Sequence, residues 1–164
     1  MRIGDICTRE VVSLDGGSTL QDAAALMRER HIGALLVTGA TPLGPRALGV
    51  VTDRDLVVEA MARGLSGENV RLGTLAEGKL ATIPAAGKVE DAITAMGARG
   101  VRRLLVATAD GELYGILTLE DLLDAMAHRM LDLAKALRGG IERETQERPP
   151  IIRDPAPVVR GLPL

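Results

Sequence analysis

Aromatic residues are almost absent from this chain of 164 residues, which has one tyrosine, Tyr114, and no phenylalanine or tryptophan. Hydrophobic residues still make up 46% of the sequence, so a core of ordinary size must be built from aliphatic side chains, alanine and methionine. Without aromatic rings there is no platform on which single-stranded bases could stack. The net charge of −2 provides no positive field for nucleic acid or for an anionic membrane surface. The composition therefore predicts a globular protein with neither kind of partner.

Cysteine and histidine are scarce as well, and they occur only as Cys7, His31 and His128. A single cysteine excludes an intramolecular disulfide, and these three residues do not have the spacing of metal ligands. We interpret Cys7 as a small packing residue and His31 as a surface residue at a helix end. No apolar run approaches the roughly 20 residues that cross a bilayer, and the first residues do not resemble a signal peptide. The expected location is therefore the cytoplasm.

One short pattern occurs twice, in the stretches LGVVTDRDL (48–56) and LYGILTLEDL (113–122). Both contain glycine, two aliphatic residues, threonine, two variable residues and aspartate. In each copy the aliphatic run before the threonine predicts a buried strand, and the residues after it have helical spacing. The pattern therefore marks a strand-to-helix junction that the chain builds twice. Its six fixed positions are Gly49, Thr52, Asp55, Gly115, Thr118 and Asp121.

The repeat extends over most of the chain. A shift of 69 residues superimposes two apolar helical faces, each with i, i+3, i+4, i+7 spacing. After the following strand the shift becomes 66, because the loop 39–45 is three residues longer than its counterpart 109–112. The chain is therefore predicted to consist of two similar halves. The matched faces are Leu20, Ala23, Ala24 and Met27 in the first half and Val89, Ala92, Ile93 and Met96 in the second.

Each half is predicted to form a lead-in strand, a helix, a two-stranded hairpin and a second helix, so the fold class is α/β (α+β) with two β-α-β-β-α repeats. The second repeat ends in an extended helix, whose apolar positions from Leu119 to Leu137 recur every three or four residues and which is predicted to stop at Gly139–Gly140. Beyond it the chain is rich in proline and lacks periodicity. The predicted segments are a first repeat at 1–64, a linker at 65–71, a second repeat with the extended helix at 72–140, and a flexible tail at 141–164.

The repeated Thr-x-x-Asp has two interpretations. It resembles a capping box, in which the hydroxyl and the carboxylate satisfy backbone amides at a helix start. It also lies at the carboxyl edge of a sheet, where open α/β folds bind ligands. A carboxylate accepts hydrogen bonds from a pair of ribose hydroxyls, and a hydroxyl beside free amides suits a phosphate. The sequence alone leaves both interpretations open.

The chain resembles a tandem cystathionine-β-synthase-type (CBS) domain pair, also called a Bateman module. The resemblance rests on the two Gly-x-x-Thr-x-x-Asp patterns, the β-α-β-β-α order and the run 101–106, VRRLLV. It covers about residues 3–138 and implies two repeats packed around a pseudo-twofold axis. Members of this family bind adenosyl compounds in clefts between the repeats. The implied ligand is AMP, ADP or ATP, with S-adenosylmethionine or an NAD-type compound ranked behind them, and no further cofactor is required.

The resemblance also implies roles for ten residues. The aspartates of the two patterns hold ribose hydroxyls, and the threonines lie near the ribose or the phosphate. Two arginines bind phosphate, and the lead-in strands line the base. In that order the residues are Asp55 and Asp121, Thr52 and Thr118, Arg102 and Arg103, and finally Thr82, Ile83, Pro84 and Val12.

No catalytic motif accompanies these residues, because the sequence has no phosphate-binding Gly-Lys loop, no nucleophile with a visible base and no metal set. The leading hypothesis is a non-catalytic regulatory module that senses an adenosyl ligand. One alternative is a purely structural dimerisation module whose Thr–Asp pairs are only helix caps. Another is a regulatory subunit that docks an unidentified enzyme through residues 142–164. A homodimer is expected in each case, because the apolar face from Leu119 to Leu137 exceeds what one repeat needs to cover.

Overall fold

The computed structural model describes residues 1–42, 44–76, 78 and 80–148. Residues Met1–Leu123 form one compact unit, and a second unit begins at Asp124. The strands are β1 (Ser13–Asp15), β2 (Ala34–Thr41), β3 (Gly44–Thr52), β4 (Thr82–Pro84), β5 (Arg103–Ala107) and β6 (Leu113–Thr118). The helices are α1 (Leu20–Arg30), α2 (Asp53–Asp55), α3 (Leu72–Ala76), α4 (Val89–Arg99) and α5 (Leu119–Glu147). α2 continues into a π-helical segment, Leu56–Ala60, and a 3-10 turn, Met61–Arg63.

The strands form two sheets with the same topology. In the first sheet β1 pairs parallel with β2, and β2 pairs antiparallel with β3; β4, β5 and β6 repeat this arrangement in the second. Even the irregularities correspond, because the register shifts after Val37 in β2 and after Val106 in β5, which are 69 residues apart. The predicted fold class of two β-α-β-β-α repeats is confirmed.

Each repeat has its own aliphatic core. α1 buries Leu20, Ala23 and Met27 of its predicted face, and α4 buries Val89, Ala92 and Met96. The prediction is wrong for the matched pair Ala24 and Ile93, which are exposed. The central strands β2 and β5 are buried on both faces and contribute continuous aliphatic runs. Tyr114, the single aromatic residue, is half-buried at the edge of the second core. The cores are therefore filled without aromatic rings, as the composition requires.

The segment before the first strand of each repeat packs on the core of the other repeat. We call these segments, residues 3–8 and 72–76, the exchanged lead-ins. The amide of Ile3 donates to the carbonyl of Gly87 at 3.0 Å, and the Ile3 side chain is fully buried in the second core. In the reciprocal direction the amide of Leu72 donates to the carbonyl of Ser18 at 2.8 Å, and Leu72 is fully buried in the first core. This exchange was not apparent from the sequence. It joins the two repeats because each core is completed by a segment from the other half.

The same exchange explains the glycine of the repeated pattern. A Cβ atom at Gly115 would lie 2.5 Å from the carbonyl oxygen of Thr8 and 3.1 Å from Cys7 Sγ. At Gly49 a Cβ atom would overlap the carbonyl oxygen of Ala76. Each glycine is therefore required by the close approach of the exchanged lead-in backbone.

The extended helix does not stop where the sequence predicted. α5 continues through Gly139–Gly140 to Glu147, so the prediction of a stop at this glycine pair, with a tail from residue 141, is wrong for the described residues. Neither glycine adopts a positive φ. Each glycine within a helix costs only about 1 kcal/mol relative to alanine, which good helix formers on both sides offset. Residues 149–164 of the predicted tail lie outside the described part of the chain. Among the helices described, none is both long enough and apolar enough to cross a bilayer.

The C-terminal caps of α1 and α4 suggest a stabilising substitution. Gly100 ends α4 with a φ of 63°, whereas its counterpart His31 ends α1 with a φ of 54°. A side chain in this left-handed region is strained, whereas glycine is not. We expect His31→Gly to raise the free energy of unfolding by up to about 1 kcal/mol, measured by urea denaturation. The exchange Gly100→His should lower it by a similar amount, and equal midpoints for both variants would contradict this view of the caps.

Candidate functional site

Both Thr-x-x-Asp patterns form complete capping boxes. In the first box the amide and the hydroxyl of Thr52 donate to Asp55 Oδ2 at 2.8 and 2.7 Å, and the Asp55 amide donates to Thr52 Oγ1 at 3.2 Å. In the second box the corresponding distances between Thr118 and Asp121 are 2.8, 2.8 and 3.1 Å. The capping interpretation is therefore confirmed in both copies. Each box uses one carboxylate oxygen, Oδ2, and a carboxylate has up to four acceptor positions.

A third box of the same kind lies at the start of α1. Thr19 donates from its amide and hydroxyl to Asp22 Oδ2 at 2.9 and 2.7 Å, and the Asp22 amide donates back at 3.0 Å. These hydrogen bonds from the Thr19 side chain and backbone lower the pKa of Asp22 below its usual value. The chain therefore uses the same Thr–Asp box at three helix starts. A box can belong to a ligand site only where the residues around it also suit a ligand.

A cavity of about 810 Å³ adjoins the first box. One wall comes from the first repeat, at the end of β3 and in the turn that follows. The other wall comes from the second repeat: the segment before β4, the end of α4 and the start of β5. Its volume lies within the range of sites for nucleotide-sized ligands. The lining residues are Val50, Thr52, Arg54, Asp55, Gly78, Leu80, Ala81, Arg99, Gly100, Val101, Arg102 and Arg103.

The structure brings four of the ten predicted site residues to this cavity and places the other six elsewhere. The four are Thr52 and Asp55 from the first repeat and Arg102 and Arg103 from the second. Ile83 is buried in the second core, while Thr82 and Pro84 are exposed on β4 and do not line the cavity. Thr118, Asp121 and Val12 are also not part of its lining.

Sequence reasoning missed several of the lining residues. Leu80 and Ala81 precede the lead-in strand that was predicted to contact the base, and Arg99 ends the preceding helix. Arg54, in α2 directly after the first capping threonine, also lines the cavity. A signal for Arg99 was available, because it lies one helical turn before Arg102 and leads through Gly100 into the arginine pair. No comparable signal joined Arg54 to that group.

The cavity is strongly positive. Four arginines and one aspartate among the described lining residues give a formal charge of +3. Within residues 1–42, 44–76, 78 and 80–148, none of the four arginines forms an ion pair. Unpaired guanidinium groups around a concave surface favour an anionic ligand. The four are Arg54, Arg99, Arg102 and Arg103.

The positions related to this cavity by the repeat carry a different charge. Gly33 and Ala34 stand where the second repeat has Arg102 and Arg103, and Glu120 stands where the first repeat has Arg54. The positions equivalent to the cavity lining contain two arginines, Arg9 and Arg30, and two acidic residues, Glu120 and Asp121. Their formal charges therefore sum to zero. The two repeats are therefore unequal in electrostatics although their backbones correspond.

Cys7 is not activated as a nucleophile, and the described residues contain no metal-binding group. Burial raises the pKa of the Cys7 thiol, and its Sγ lies 3.9 Å from the carbonyl oxygen of Gly4. A thiol with a raised pKa is a poor nucleophile, in agreement with its packing role beside Gly115. Among the residues that the structure describes, no three histidine, cysteine or acidic side chains group to hold a metal ion.

The CBS domain family model matches residues 3–62 and 74–128. Among curated relatives, hypoxic response protein 1 of Mycobacterium tuberculosis is 31% identical over 134 residues, which cover 81% of this chain and 91% of that one. An uncharacterized protein of Methanopyrus kandleri is 24% identical over 136 residues, covering 83% of this chain and 68% of that one. Both halves of the repeat are therefore matched.

Solved structures show the same fold. Hypoxic response protein I with two coordinated zinc ions superimposes with a TM-score of 0.65 at 31% identity, covering 76% of this chain and 98% of that one. A CBS domain protein of Pyrobaculum aerophilum complexed with AMP superimposes with a TM-score of 0.65 at 25% identity, covering 74% and 89%. With both repeats matched in sequence and in fold, this chain belongs to the CBS domain family and contains a tandem pair of CBS domains, a Bateman module.

Proposed function

We propose that this protein is a non-catalytic regulatory module that binds an adenine nucleotide in the cavity beside Thr52 and Asp55. The observation that carries the proposal is the composition of the cavity wall. The first repeat contributes a hydroxyl and a carboxylate, and the second contributes the arginine pair Arg102–Arg103. A ribose and its phosphates need these two kinds of group at a short separation.

Asp55 is suited to the ribose. Its carboxylate is held by Thr52 through two hydrogen bonds to Oδ2, so the group is fixed before a ligand arrives. It is half-buried, which strengthens hydrogen bonds to a pair of hydroxyls relative to those in open water. A carboxylate repels phosphate, so Asp55 also orients the nucleotide with its phosphates toward the arginines.

The arginines are suited to phosphate. Guanidinium groups form paired hydrogen bonds with phosphate oxygens, and Arg103 is half-buried, which reduces its screening by solvent. The charge of +3 on the described lining residues matches the charge of a nucleoside di- or triphosphate better than that of AMP. S-adenosylmethionine carries a sulfonium cation and is disfavoured in the same field.

Aliphatic groups remain for the base. Val50, Leu80 and Val101 line the cavity, and Leu80 is 46% exposed in this structure. Burial of a purine against such groups is favourable without an aromatic stack. The absence of phenylalanine and tryptophan is therefore compatible with nucleotide binding.

The cavity also provides a basis for regulation. Because its walls come from different repeats, a ligand that contacts both favours the arrangement of the repeats to which it binds best. The relative from Pyrobaculum aerophilum complexed with AMP supports an adenine nucleotide as the ligand class. We infer that nucleotide binding changes the affinity of this module for a partner protein.

Calorimetry with AMP and ATP tests the proposal, and the capping boxes supply a matched control. Asp55→Ala and Asp22→Ala each remove the carboxylate of one box and should each lower the free energy of unfolding by about 1 kcal/mol. Only Asp55 lines the cavity, so we expect Asp55→Ala to weaken ATP binding at least about tenfold while Asp22→Ala leaves it unchanged.

Two outcomes would count against the proposal. Equal losses in the two variants would mean that Asp55 acts only through stability. Absence of heat with AMP, ATP and S-adenosylmethionine for the folded wild-type protein would instead favour the purely structural dimerisation module.

A further inference from the structure

The last helix is longer than the fold of its repeat requires. In the first repeat the helical segment that follows the capping box ends at Arg63, and Gly64 takes a φ of 67° there. Under the shift of 66 residues Gly64 corresponds to Met130, which allows the helix to continue. Residues 130–147 of α5 therefore have no counterpart in the first repeat, and within α5 only Leu122 is buried.

Six of the eight exposed large apolar residues of α5 follow a heptad repeat, and the other two, Leu131 and Ile141, lie outside it. The separations of the six alternate between four and three residues, so they form one seam with the 3.5-residue period of a left-handed coiled coil. The exposed fractions of Met130, Leu133 and Leu137 are 71%, 71% and 68%. This seam, which we call the α5 seam, consists of Leu119, Leu123, Met126, Met130, Leu133 and Leu137.

The residues beside the α5 seam suit a neighbouring helix. In heptad notation Leu123, Met130 and Leu137 occupy position a, and the flanking e and g positions include Ala127, Ala134 and Ala136. Small flanking residues permit close approach of a second helix. Asp124, Asp132 and Lys135 lie outside this stripe, whereas Glu120 at e and Arg129 at g lie within it.

We propose that the extension of α5 forms a parallel coiled coil with the same helix of a second copy of this chain. The spacing of the α5 seam indicates the partner helix, because a seam with a period of 3.5 residues packs against another seam with the same period. This inference does not depend on nucleotide binding and goes beyond the function proposed above.

The available area fits a second copy. Burial of one leucine or methionine side chain removes on the order of 100 Å² from water. Six such residues on each of two helices therefore provide about 1,200 Å², which lies at the lower limit for a specific interface.

The charges favour the parallel direction. In an antiparallel pair whose seam residues match throughout, Leu119 meets Leu137 of the second copy and Met126 meets Met130. This register places Arg129 beside Arg129 of the second copy, and like charges there are unfavourable. In the parallel pair Arg129 at position g faces Ala134 at position e, so the repulsion does not arise.

Sedimentation equilibrium of the full chain tests the α5 seam with two matched substitutions. Met130→Glu places a carboxylate in the seam, whereas Leu131→Glu places it at an adjacent position, 54% exposed, outside the seam. We expect a dimeric wild-type protein, a dissociation constant raised about 100-fold by Met130→Glu, and little change from Leu131→Glu. Circular dichroism and ATP calorimetry should be unchanged in both variants.

A monomeric wild-type protein, or equal effects of the two substitutions, would overturn the proposal. Disulfide formation tests the direction in a Cys7→Ser background. Met130→Cys should crosslink two chains, because residues at position a meet their own copies only in a parallel pair. Crosslinking through Leu131→Cys, but not through Met130→Cys, would likewise overturn it.

Discussion

Gly49→Ala is expected to lower the free energy of unfolding by at least about 3 kcal/mol, a large share of the stability of a small domain. The added methyl group overlaps the carbonyl oxygen of Ala76 and would lie 3.1 Å from its carbonyl carbon. Both atoms belong to the backbone of α3, so no side-chain rotation can relieve the contact. α3 must move away from β3 and withdraw Leu72 from the first core.

The same substitution at Gly97 provides the control. Gly97 lies within α4, and a Cβ atom there would meet nothing within 4 Å. Alanine is the better helix former, so Gly97→Ala should raise the free energy of unfolding by up to about 1 kcal/mol. Guanidinium denaturation measures both changes on the same scale.

Gly115→Ala extends the argument to the second repeat. It meets the Thr8 carbonyl oxygen at 2.5 Å and should be destabilising in the same way as Gly49→Ala. If both variants unfold at the wild-type midpoint, the exchanged lead-ins do not lie where the structure has them.

Replacement of Arg102 and Arg103 by alanine is expected to weaken ATP binding about 100-fold, because each side chain contributes a charge-assisted hydrogen bond. The effect on AMP should be nearer tenfold, since AMP has fewer phosphate oxygens for the two groups. Titration calorimetry with both nucleotides gives this ratio. The free energy of unfolding should change little, because neither arginine forms an ion pair within the described residues.

A control and a salt series sharpen this result. Arg30 is the counterpart of Arg99 in the first repeat and does not line the cavity, so Arg30→Ala should leave ATP affinity unchanged. For the wild-type protein the affinity should fall as salt rises, and the double variant should show a weaker dependence. Wild-type ATP affinity in the double variant, together with a loss in Asp55→Ala, would place the phosphates elsewhere and leave the ribose contact intact.

The repeat made most of the fold accessible from the sequence. Most of the apolar faces of α1 and α4 and the central strands β2 and β5 were predicted, and the capping boxes were one of two interpretations of the repeated pattern, because each depends on neighbours within a few residues. Local signals failed at Gly139–Gly140, where glycine was interpreted as a helix stop. The low helix propensity of glycine did not end α5, because the surrounding residues favour a continuous helix.

The candidate site was only partly predictable. A threonine, an aspartate and two arginines among the predicted site residues line one cavity, but only the tertiary structure shows that these four residues lie together. Thr52 and Arg102 are separated by fifty positions, and nothing in either local pattern specifies that they meet.

The sequence by itself determined two similar repeats, most of their aliphatic core positions and the recurrence of Thr-x-x-Asp at two helix starts, because these follow from periodicity along a short stretch of chain. Tertiary structure alone decided that the lead-ins exchange cores and that Thr52 and Asp55 face the arginines of the other repeat. The physical reason is that docking of the two repeats depends on shape and burial summed over both surfaces. That sum has no local signature in the sequence.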